Sequence, residues 1–86
     1  MKVELDRQHD AAYFAFSATA SVRQAKVDNA RVIDYGADGS VVAVEFISPS
    51  RGMNLAGVPR AAEIEREGRR LGLPIQTAPA DVARPG

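Results

Sequence analysis

Arg31-Val32-Ile33-Asp34-Tyr35-Gly36-Ala37-Asp38-Gly39-Ser40-Val41-Val42-Ala43-Val44-Glu45-Phe46-Ile47 is the stretch that decides the fold. Two runs rich in β-branched and aromatic residues flank an Asp-Gly pair, the short-range signature of a β-hairpin. The spacing predicts a strand over 31–35, a tight turn over 36–39 and the strongest strand of the chain over 40–47. In that last strand Val42, Val44 and Phe46 share one side. Val41, Ala43 and Ile47 share the other, interrupted only by Glu45. An antiparallel sheet with a wet side shows polar residues there, so both sides of this strand are expected to be covered.

Further strands precede the hairpin. Lys2-Val3-Glu4-Leu5 alternates polar with apolar and reads as a first strand with Val3 and Leu5 inward. After the polar turn Asp6–Asp10, Ala12-Tyr13-Phe14-Ala15-Phe16 reads as a second. Residues 21–27 alternate loosely, and Asp28-Asn29 is a turn signal. Strands joined in sequence by short polar turns imply an antiparallel meander.

Beyond the hairpin the period changes. Ser48-Pro49-Ser50-Arg51-Gly52 ends the sheet, and Val58-Pro59 looks like a helix start, since proline lacks a donor that the first helical turn leaves unpaired anyway. Ala61, Ile64, Gly68 and Leu71 form one narrow apolar stripe at helical spacing. Glu63 and Glu65 near the start, with Arg66, Arg69 and Arg70 near the end, complement the helix dipole. Leu71-Gly72-Leu73-Pro74 is a stop signal. The expectation is an α+β domain over 1–75: an antiparallel β-meander of four to five strands followed by one C-terminal helix packed on the sheet. Residues 76–86, with two prolines and no periodicity, are expected to form a flexible tail.

Eighty-six residues allow one thin core. Lys and Arg number 11, as do Asp and Glu, and this zero net charge argues against a nucleic-acid or anionic-membrane binder. With no cysteine, disulfides, thiolate zinc sites and cysteine nucleophiles are excluded. The alternating charge of the first residues and the shortness of Val41–Val44 as an apolar run point to a cytoplasmic protein without a signal peptide or membrane span.

No grouping of residues makes a persuasive reactive site. Asp34, Asp38, Gly39 and Glu45 match part of a calcium-loop pattern, but Gly36 fails at the third position and the flanks are strands where that loop needs helices. Asp6, His9 and Asp10 fit no metal spacing, and there is no second histidine. Ser48-Pro49-Ser50 lacks the nucleophile-elbow pattern, and no glycine set makes a phosphate loop. The helix arginines are interleaved with Glu63, Glu65 and Glu67, which suits a solvated face with internal ion pairs. No catalytic residue, cofactor or metal is therefore expected.

Met1–Asp6, Asp10-Ala11-Ala12-Tyr13-Phe14, Val32-Ile33-Asp34-Tyr35, Asp38-Gly39 and Val44-Glu45-Phe46-Ile47-Ser48 together resemble domain of unknown function 2283, a family of small prokaryotic proteins. The resemblance spans roughly residues 1–50, and Gly52 to Leu73 looks like the C-terminal extension of longer members. It departs at Phe14 and Phe46, where aliphatic residues would be usual, at Gly36 for an acidic residue and at Ala43 for a glycine. The resemblance implies a bacterial protein with a β-meander and a helix and no catalytic residue to carry over. Because members resemble neighbours of small toxin-like genes, it also implies an antitoxin-like or immunity-like binding role. From the residues, the expectation is a non-enzymatic interaction module, homodimeric, open to a further protein partner, contacting through Tyr13, Val41, Ala43, Ile47, Arg66 and Arg70. The alternative reading is a small-ligand or divalent-cation binder using the acidic turns.

Overall fold

The computed structural model describes residues 1–76, in two compact units, Met1–Pro49 and the segment from Ser50. The first unit is a five-stranded antiparallel sheet made of β1 (Lys2–Asp6), β2 (Ala11–Ala15), β3 (Arg23–Asp28), β4 (Arg31–Tyr35) and β5 (Val41–Ile47). With the helix of the second unit this gives the expected α+β class. The order across the sheet is β1-β2-β5-β4-β3. The β1–β2 hairpin and the β3-β4-β5 run are meander-like, while residues 16–22 carry the chain from β2 to the far edge, so that β5 returns beside β2.

The strand register sorts the side chains. Ala12 and Phe14 lie opposite Phe46 and Val44, Val44 lies opposite Ile33, and Val3 and Leu5 lie opposite Phe14 and Ala12. That side forms the apolar core of the sheet, with Phe14 and Phe46 in edge-to-face contact at 5.7 Å between centroids. The opposite side carries Lys2, Glu4, Asp6, Tyr13, Glu45, Asp34, Gln24 and Lys26 together with Ala15, Val32 and Ala43.

The β4–β5 turn forms as its residues dictate. The Gly39 amide donates to the Gly36 carbonyl at 3.0 Å, Gly39 takes the left-handed conformation at φ 85°, and the Asp38 carboxylate accepts from the amide and hydroxyl of Ser40. At the β3–β4 turn the Asp28 carboxylate accepts from the Ala30 amide and from the guanidinium of Arg31, which is buried. The Arg31 hydrogen bonds, then the Ala30 amide, hold the Asp28 carboxyl below the usual carboxylate range.

The second unit begins with a short 3-10 turn (Pro49–Arg51 straddles its boundary) and contains α1 (Ala61–Arg70). The helix starts later than Val58-Pro59 suggests. Arg60 has φ 55°, a left-handed conformation that no helix interior accepts, so Pro59 lies in the turn before the helix. Its end is as expected. The Leu73 amide donates to the Gly68 carbonyl at 2.8 Å and the Gly72 amide to that of Arg69 at 3.0 Å, with Gly72 at φ 79°, a Schellman closure.

Within this unit Ile64 and Gly68 are the buried members of the apolar stripe, while Ala61 and Leu71 are half-buried. A side chain on Gly68 would meet the Met53 methyl at 2.3 Å, so glycine leaves room for the buried Met53. Met53 also forms a parallel bridge with Ile75. Gln76, placed in the tail by its sequence, donates its amide to the Met53 carbonyl at 2.9 Å. The remainder of that expected tail lies outside the described residues. No helix among the described residues is long and apolar enough to cross a membrane.

Candidate functional site

The side of the sheet that carries Tyr13 is organised by one buried carboxylate. Alternation along β4 puts Asp34 on that side, opposite Ala43 of β5 and Gln24 of β3. Asp34 is 3% exposed and accepts from the Tyr13 hydroxyl at 3.1 Å and from the Gln24 amide nitrogen at 2.9 Å. Since β5 lies between β2 and β4, the Tyr13 phenol must cross β5 to reach Asp34. Side chains thereby tie β2, β4 and β3 together in addition to the backbone ladder. Burial first, then the hydrogen bond to Asp34, pushes the Tyr13 phenol above the ordinary tyrosine range.

Beside this clasp lies an open depression of ≈ 240 Å³ lined by Glu4, Asp6, Ala11, Ala12, Tyr13 and Glu45. The carboxylates at its rim have neighbours of their own. Asp6 accepts from the His9 backbone amide at 3.0 Å and lies 2.8 Å from the His9 ring, and the amide bond first, then the ring, keep its carboxyl below the usual range. Glu4 lies 3.7 Å from the Lys2 ammonium. Asp10 takes a left-handed backbone at φ 52°, and its carbonyl accepts from the Ser48 amide. The Asp6 carboxylate bonds this turn through its side chain.

The residues expected to make contacts separate into three groups. Tyr13, Ala43 and Ile47 share this side of the sheet, but only Ile47 projects into solvent, at 41% exposure, while Ala43 is fully buried and Tyr13 half-buried. Ala43 lies on β5, the strand that the phenol crosses, so the chain's own Tyr13 accounts for its cover. Val41 is half-buried at a register shift in the β4–β5 pairing, between Asp34 and Tyr35. Arg66 and Arg70 belong to the other unit, on exposed helix positions, with Arg70 bonded to Glu67 at 2.5 Å. Asp34 and Glu45, part of the apparent calcium loop, lie on strands, and Asp38 is engaged by Ser40. Among the described residues no group of three or more His, Asp or Glu side chains is placed to hold a metal.

The Tyr13–Asp34–Gln24 clasp was not anticipated from the sequence. Its signal was a carboxylate in the interior of an apolar strand, between Ile33 and Tyr35, which needs a donor when buried. A family model described as "Protein of unknown function (DUF2283)" matches residues 2–49, all of the sheet unit except Met1. No curated protein and no solved structure matches the chain.

Proposed function

The chain belongs to the DUF2283 family of proteins of unknown function, and from that premise we propose that it is a non-enzymatic protein-interaction module that acts as a homodimer in the cytoplasm. The observation that supports this reading is the Tyr13 side of the sheet. There a side-chain clasp stiffens three strands, and beside it an open, acid-rimmed depression and the exposed Ile47 face solvent. A rigid platform mixing apolar and hydrogen-bonding groups is what protein recognition uses. Of the carboxylates that would otherwise suggest acid–base chemistry, Asp6 at the rim is engaged by His9, Glu4 lies 3.7 Å from Lys2, and the buried Asp34 beside the rim is held by Tyr13 and Gln24. Capture of a second, toxin-like polypeptide on this platform is the antitoxin-like or immunity-like form of the same activity.

Self-association is the part that can be read directly. Multi-angle light scattering at about 10–100 μM, the range in which weak interfaces of small domains populate, is expected to return twice the chain mass of 9.2 kDa. A mass of 9.2 kDa throughout that range removes the homodimer.

A further inference from the structure

The two edges of the sheet differ. β3 carries a register shift between Lys26 and Asp28, and its Arg23 guanidinium stacks over Tyr35 at 4.2 Å from the ring centroid. Bulges and edge cations are the usual protection against pairing with another chain. β1 has an unbroken register with β2 over Lys2–Asp6, no bulge, no proline and no glycine, and its charged side chains all lie on one side of the sheet. Among the described residues it is a regular edge with no strand paired on its outer side.

The ladder fixes which backbone groups that edge offers. The Phe16 amide donates to the Val42 carbonyl at 2.8 Å and the Ser48 amide to the Asp10 carbonyl at 2.9 Å. Even-numbered residues of β2 therefore bond to β5, and by strict alternation its odd-numbered residues bond to β1. Ala15, Tyr13 and Ala11 face Lys2, Glu4 and Asp6. The amides and carbonyls of Val3 and Leu5 thus point away from the sheet.

Resting on the homodimer reading, we infer that two copies pair antiparallel along β1, with Val3 opposite the partner's Val3. This register places Lys2 opposite the partner's Glu4, and Glu4 opposite the partner's Lys2, in non-hydrogen-bonded positions where Cα atoms approach to about 4.5 Å. Opposite charges so placed attract one another across the pair. Sliding by two residues one way sets Lys2 against the partner's Asp6 but also Glu4 against the partner's Glu4 at the centre. Sliding the other way sets Lys2 against the partner's Lys2. Shifts by one residue would put Val3 and Leu5 on the charged side. Charge and side preference together select one register. The two sheets then become continuous and their Tyr13 sides form a single platform.

The chain has no cysteine, so introduced thiols report only on this contact. Lys2 and Glu4 have side chains 77% and 64% exposed, and replacing either leaves the core untouched. Chains carrying Lys2→Cys and chains carrying Glu4→Cys are mixed, oxidised and read by non-reducing mass spectrometry. The mixed disulfide is expected to form at least about tenfold faster than either homodisulfide, because pairing raises the effective thiol concentration. Glu4→Cys chains linking to themselves as fast as the mixture would overturn the Val3-centred register. A doubled mass without any accelerated cross-link would overturn pairing along β1 while leaving the homodimer standing. A single-chain mass would remove both.

Discussion

Replacing Phe14 by alanine is expected to destabilise the sheet unit by about 3–5 kcal/mol, the range for emptying the site of a buried aromatic ring. Phe14 is completely buried, its ring meets Phe46 edge-on at 5.7 Å, and its strand neighbours are Val3 and Val44. Truncation removes the ring from the middle of the β1-β2-β5 core and leaves a void that three strands cannot close without losing register. At about 0.05–0.15 kcal/mol per residue, a chain of 86 residues has about 4–13 kcal/mol in all, so the loss is a large share of its stability. Urea unfolding followed by circular dichroism should show the Phe14→Ala transition moved to a much lower denaturant concentration. Phe14→Leu, which keeps most of the volume, should stay folded with a loss of about 1 kcal/mol. A loss under about 1 kcal/mol for the alanine variant would mean the ring is not in the core.

The second large effect is expected at the clasp. Asp34→Ala leaves the Tyr13 hydroxyl and the Gln24 amide without the carboxylate they share, an expected cost of about 1–3 kcal/mol. Tyr13→Phe removes one donor and should cost less. If the two act on one another, the double variant will fall short of the sum by about 0.5–2 kcal/mol. Simple additivity in urea unfolding would deny the hydrogen bond. The same contact sets the alkaline limit. Because the folded Tyr13 phenol ionises above the ordinary tyrosine range, its contribution is whole below that range and is lost as pH rises through the raised value. Stability should therefore fall on the alkaline side in the parent and fall less steeply in Tyr13→Phe.

Local features of the fold are legible in the sequence. Asp38-Gly39 between β-branched runs specifies the β4–β5 hairpin because only a residue free of Cβ strain sits easily at φ 85°. Leu71-Gly72-Leu73-Pro74 specifies the helix end for the same reason. The helix start misleads, since nothing in the side chain of Arg60 announces a left-handed backbone, whereas Val58-Pro59 is a common opening. Strand order is not local. The alternation of β2 is compatible with pairing to β3 or to β5, and the choice of β5 rests on packing between Phe14, Phe46 and Val44.

The site inherits that limit. Reading Val41, Ala43 and Ile47 as a bare apolar row takes β5 alone, whereas Ala43 is closed by a tyrosine arriving from β2 towards an aspartate on β4. Once β5 lies between those strands the clasp follows from alternation. Without the order it is invisible. The family match to residues 2–49 falls on the same stretch that the strand pattern resembles.

The proposed pairing of two copies through β1 is tested most directly by amide hydrogen exchange, read residue by residue by NMR above and below the concentration at which the mass doubles. The outward amides of Val3 and Leu5 should exchange freely in the dilute chain and become protected in the concentrated one. The amides of Lys2 and Glu4, bonded to β2, should be protected in both. Val3 and Leu5 amides that exchange freely at every concentration would contradict it.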